Sequence, residues 1–118
     1  LLVDDEEDVR NCGKIILEDC GYTVLTALNG QDALNIYKQE MNRISLVILD
    51  LIMPELDGSQ CIRELLKINP ELKVLIQSGV ASGSTAVKSL DLGARGFVRK
   101  PYRVSEFLNA VGQILREA

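Results

Sequence analysis

Five short apolar runs punctuate this chain, and each is followed by a longer stretch with helical period. The runs are Leu1–Val3, Thr23–Ala27, Leu46–Leu49, Val74–Gln77 and Gly96–Val98. They are nearly continuous in apolar character, the pattern of strands covered by helices on both faces. Parallel strands need a crossover connection, and each intervening stretch is long enough to supply one. The spacing predicts an α/β fold, a doubly wound parallel sheet with helices on either side. The 118 residues suit one such domain, residues 1–118, and no Pro/Gly/Ser-rich linker divides them.

Five helices are predicted between and after the strands. The first, about Glu7–Cys20, repeats Val9, Cys12, Ile16, Leu17 and Cys20 along one stripe, and Gly21 is placed to end it. The second, about Gly30–Met41, carries Ala33, Leu34, Tyr37 and Met41. The third, about Gly58–Ile68, carries Ile62, Leu65 and Leu66 and stops at Asn69-Pro70. The fourth, about Ser84–Leu92, has few and small apolar residues, among them Ala86, Val87 and Leu90. In the fifth, Ser105 is the expected cap, and Phe107, Leu108, Val111, Ile114 and Leu115 form the buried stripe.

Composition removes several functions. Asp and Glu number 17 against 13 Lys and Arg, a formal charge of −4, so direct nucleic-acid binding by this domain is not expected. No apolar stretch approaches the roughly 20 residues of a membrane helix, so no membrane insertion is expected. Cys12, Cys20 and Cys61 all fall in predicted helices and form no CxxC pair. They read as buried free thiols in a reducing compartment, which implies a cytoplasmic location. With no His in the chain, structural zinc is not indicated. The chain opens without Met inside a strand-like run, which reads as a trimmed start with a few residues missing before Leu1.

The chemistry lies where the runs end. Asp4 and Asp5 follow the first run, Asp50 the third, Ser78 the fourth and Lys100 the fifth. Taken singly, each is an ordinary cap or turn residue. In a parallel sheet all of them emerge on the carboxyl edge, where open α/β sheets bind and react. Three crowded carboxylates repel one another unless a cation intervenes, and oxygen-only ligation fits Mg²⁺, with Mn²⁺ as a substitute. The Lys100 ammonium suits an added phosphoryl group, Ser78-Gly79 offers a hydroxyl and an amide, and a cis bond before Pro101 would help aim the lysine.

The segments LLVDDE, VILDLIMPELDG, LIQSG and GFVRKPY resemble the receiver domain of two-component response regulators. The resemblance spans the chain and implies the flavodoxin-like (βα)5 fold, a five-stranded parallel sheet of order 2-1-3-4-5. It implies that Asp50 is the phospho-acceptor and that Asp4, Asp5, Asp50 and the backbone carbonyl of Ile52 hold Mg²⁺, with Asp5 and Asp50 as direct ligands. Lys100 and Ser78 would contact the phosphoryl oxygens, and Ser78 with Phe97 would form the switch. The expected donor is a phosphohistidine on a sensor histidine kinase or a histidine phosphotransfer protein. Arg10, Asn11 and Lys14 lie on the helix surface such domains use for donor recognition. Phosphorylation would bias the surface of the fourth predicted helix, fifth strand and fifth predicted helix, through which receivers also form homodimers.

Two positions depart from fast-hydrolysing members, which carry polar side chains two residues after the acceptor and two after the switch hydroxyl. Here those are Ile52 and Val80, which implies a long-lived aspartyl phosphate. The Gly-Phe-Val-Arg-Lys-Pro-Tyr and Gln-Ser-Gly-Val runs look similar to receivers fused to sensor histidine kinases, and receivers that precede DNA-binding output domains and stand-alone receivers share most of the same features. An alternative from the residues is a Mg²⁺-dependent phosphatase or phosphotransferase with an aspartyl nucleophile. It commonly wants a second Asp two residues after the first, where this chain has Ile52. A flavin-binding domain of the same fold would want a phosphate loop where Asp4-Asp5-Glu6-Glu7-Asp8 stands.

Overall fold

The computed structural model describes residues 1–50, 58–78, 93–99 and 103–116. In chain order the elements are β1 (Leu2–Val3), α1 (Glu7–Asp19), β2 (Thr26–Ala27), α2 (Gly30–Glu40), a 3-10 turn (Met41–Arg43), β3 (Val47–Asp50) and α3 (Gly58–Ile68). They continue with β4 (Val74–Ser78), β5 (Gly96–Arg99) and α4 (Val104–Arg116). Thus α4 is the fifth predicted helix, and the fourth, at 84–92, lies outside the described residues.

The five strands form one sheet of order β2-β1-β3-β4-β5, and all four pairings are parallel. This is the expected flavodoxin-like order, reversing direction between β1 and β3. Alternation along each strand divides the core in two. Val3, Val47, Leu49, Val74 and Ile76 pack with Ala33, Leu34, Tyr37, Cys61, Ile62 and Leu65 of α2 and α3. Leu2, Ile48, Leu75 and Val98 face the other way, onto Leu17 of α1 and Phe107, Val111 and Ile114 of α4. Helices on both faces explain why the strands lack polar alternation.

Local signals account for the helix ends. Gly21, at φ 91°, takes the left-handed turn after α1. Its amide donates to Glu18 O at 3.0 Å and that of Tyr22 to Leu17 O at 3.2 Å, the double closure of a Schellman cap. Asn29 caps α2 by accepting from the Asp32 amide at 2.8 Å, while Asp32 accepts from the Leu28 amide at 3.0 Å. Sequence reading overlooked that reciprocal cap, although Asn three residues before Asp is its signature. Asn69 ends α3, accepts from the Glu71 amide and donates to Tyr37 Oη at 3.2 Å.

Several expectations need correction. Cys12 and Cys20 are exposed, and of the three thiols Cys61 alone is buried. The buried face of α1 is centred on Gly13 and Leu17. Cys12 stands about 100° round the helix from Gly13, and Cys20 is the C-cap beyond the last turn. Ser105 is not the cap of α4: the helix starts at Val104, and Phe107 N donates to Arg103 O at 3.1 Å. The outer strand β2 is two residues rather than five. Conversely β3, β4 and β5 each run one residue further than expected. That extension draws Asp50 and Ser78 into the sheet, with Asp50 opposite Gln77 and Ser78 opposite Arg99.

The cysteine correction has a direct readout. Ellman's reagent is expected to titrate Cys12 and Cys20 in the native protein, and Cys61, fully buried in the folded chain against Gly30 of α2, only on unfolding. Rapid reaction of all three thiols in buffer would contradict the packing of α3.

Candidate functional site

Register carries the acidic residues together. Val3 pairs with Leu49 across β1 and β3, so Asp4 and Asp50 each follow that pair by one residue. Both project on the face that carries Leu2 and Ile48. Asp5 follows at the turn into α1. The carboxylate oxygens of Asp4, Asp5 and Asp50 lie within 4.8 Å of one another. Asp4 is fully buried and Asp50 is 6% exposed, while Asp5 opens to solvent. The cluster thus joins two buried carboxylates to one at the surface.

Asp4 is held on all sides. Its Oδ1 accepts from the Glu6 amide at 2.9 Å, and its Oδ2 accepts from Gln77 Nε2 at 3.1 Å. Its backbone carbonyl accepts from Arg10 Nη1 at 2.9 Å. Arg10, read from sequence as a surface residue, is half-buried and braces the β1–α1 turn. Gln77 was read only as the last residue of a strand. The signal that could have flagged it is an amide within the otherwise apolar run Val74-Leu75-Ile76.

Three carboxylates this close, two of them out of water, repel strongly in a medium less polarisable than water. A divalent cation offsets that repulsion. The donor set is oxygen only, which suits hard cations such as Mg²⁺. The buried Oε1 of Gln77, with no hydrogen-bond partner among the described residues, adds a vacant acceptor beside it. The residues present thus fit a divalent cation.

Other expected site residues are placed less fully. Ser78 ends β4 in register with Arg99, but its side chain lies outside the described residues. Ile52, Val80, Lys100 and Pro101 also lie outside them. Phe97 is on the edge strand β5, half-buried against the cluster formed with α2 and α3.

Comparison with known proteins points the same way. The family described as response regulator receiver domain matches residues 1–112. The sensor kinase CckA of Brucella abortus is 36% identical over 118 residues, 99% of this chain but 12% of that protein. The chemotaxis protein CheY of Thermotoga maritima is 31% identical over 97% of this chain and 94% of its own. In the crystal structure of a CheX–CheY–BeF3–Mg²⁺ complex from Borrelia burgdorferi, one chain superposes with TM-score 0.94 at 26% identity. That match covers 98% of this chain and 87% of the other. This chain spans about an eighth of the kinase it matches and nearly all of the chemotaxis protein. No described helix is long and apolar enough to cross a membrane. Fold, acidic pocket and relatives converge: this chain belongs to the response regulator receiver domains of two-component phosphorelays.

Proposed function

We propose that Asp50 is the residue that accepts the phosphoryl group, and that it does so with Mg²⁺ held by Asp4, Asp5, Asp50 and the carbonyl of Ile52. The observation that carries this reading is the convergence of three carboxylates from two adjacent strand ends within 4.8 Å. Asp50 is the one among them that belongs to a central strand, its backbone fixed by pairing with β4.

A carboxylate oxygen of Asp50 attacks the phosphorus of a phosphohistidine, the P–N bond breaks as the P–O bond forms, and the imidazole leaves. Asp4, Asp5 and Asp50 would hold the cation, whose charge would offset that of the phosphoryl oxygens, so that catalysis is mostly positioning and electrostatics. Asp4 keeps the pocket's floor in place through its bonds to Glu6 and Gln77. Lys100 meets a phosphoryl oxygen and Ser78 moves towards the new dianion, vacating space for Phe97. The surface of the fourth predicted helix, β5 and α4 then shifts between two arrangements, and copies of the domain pair through it. The donor is a sensor histidine kinase or histidine phosphotransfer protein in the cytoplasm.

Incubation with acetyl phosphate and Mg²⁺ is expected to add one phosphoryl group per chain. Continuous turnover of phosphate with no labelled protein would point instead to the phosphatase reading. The label is expected to decay more slowly than in an Ile52→Asn/Val80→Glu variant, because the apolar pair does not orient an attacking water. Equal decay rates would remove that part of the proposal.

A further inference from the structure

An amide sits in the dry interior of β4 where the neighbouring strand residues are Val74, Leu75 and Ile76. Gln77 is completely buried. It lies in register with Asp50, and residues in register on parallel strands project to the same face. Its Nε2 donates to Asp4 Oδ2 at 3.1 Å, a fully buried bond. Its Oε1 is buried without a hydrogen-bond partner among the described residues.

A buried carbonyl oxygen without a donor is costly, and Leu or Met would fill the same space without that cost. Rotating the amide does not relieve it, because Oε1 would then face the carboxylate of Asp4, oxygen against oxygen. The free acceptor therefore stays beside the acidic pocket, held there by the same planar amide that grips Asp4. Among the described residues, no donor reaches Oε1.

We propose that Gln77 is a positioning residue of the cation site: Nε2 fixes Asp4, and Oε1 accepts a hydrogen bond from a water in the cation's hydration shell. The proposal rests on the reading of Asp4, Asp5 and Asp50 as a divalent-cation pocket. Mg²⁺ usually keeps several waters, whose protons need acceptors. Groups that bind such waters, or that orient the ligands, set metal affinity nearly as strongly as the ligands themselves. Loading the pocket would supply a donor to the buried Oε1. It would also tie the cation to the strand end that carries Ser78, one residue on.

The test uses the whole 118-residue chain. Mn²⁺ affinity is measured by electron paramagnetic resonance for the wild type, Gln77→Met and the ligand control Asp5→Asn. Gln77→Met keeps length and volume but removes donor and acceptor, and is expected to bind Mn²⁺ roughly 10–100-fold more weakly. Binding within twofold of the wild type would overturn the role of Gln77 and leave the cation pocket standing. A wild type that binds no Mn²⁺ would overturn both. Should Gln77→Met fail to fold, the wild-type side-chain ¹⁵N resonance of Gln77 decides. Saturation with Mg²⁺ is expected to move it while the resonance of exposed Gln31 stays in place. An unmoved Gln77 resonance in Mg²⁺-loaded protein would overturn the proposal.

Discussion

Asp50→Asn is expected to lower acetyl phosphate labelling to background while raising the stability of the metal-free domain. The first effect follows from chemistry, since an amide is a poor nucleophile and cannot form the mixed anhydride. The second follows from electrostatics. Asn matches Asp in shape, so the side chain keeps its place at the end of β3, but one of three carboxylates crowded within 4.8 Å loses its charge. At the effective dielectric of such sites, relieving that repulsion is worth on the order of 1–3 kcal/mol. Urea unfolding in EDTA measures the gain, and it should shrink when Mg²⁺ is added to both proteins. Residual labelling of the variant would move the acceptor to another residue. Loss of labelling with loss of fold would leave a structural role as the simpler account. The combination of inactivity with added stability is what distinguishes a site residue from a structural one.

Much of the fold could be read from residue pattern alone because burial on both sheet faces leaves so plain a mark. Runs such as Val47-Ile48-Leu49 and Val74-Leu75-Ile76 have few other uses in a small chain, and their separation by helical stretches enforces parallel pairing. Helix faces were read less well. The stripe assigned to α1 took Cys12 for a core residue, whereas the buried residues are Gly13 and Leu17. Apolar scales give glycine little weight, so its burial left no mark in the apolar pattern. Cap chemistry was half legible: Gly21 announced its turn, but Ser105 drew attention from the true start at Val104. At the site, Asp4, Asp5 and Asp50 were found because strand ends are visible in sequence. Gln77 and Arg10 were missed because their partners are fixed by three-dimensional register, 73 and 6 residues away.

Phe107→Ala should produce the largest loss of stability of any single truncation in α4. Phe107 is 0% exposed and packs among Leu2, Leu17, Ile48, Leu75 and Val98, where α1 and α4 meet the same sheet face. Truncating a buried Phe to Ala costs about 3–5 kcal/mol, because the lost transfer energy is joined by the cavity left behind. Domains of this size hold only about 5–15 kcal/mol in total. The midpoint of thermal unfolding should accordingly fall by roughly 10–20 °C. Ser105→Ala is the matched control: Ser105 is exposed within the first turn rather than at the cap, so its change should stay within about 0.5 kcal/mol. Equilibrium urea unfolding with an unchanged slope measures both. A loss below about 1 kcal/mol for Phe107→Ala would mean that α4 is not docked as described. A large loss for Ser105→Ala would instead restore Ser105 as the cap. The pair thus reads separately the two things that hold α4 in place, its buried stripe and its first turn.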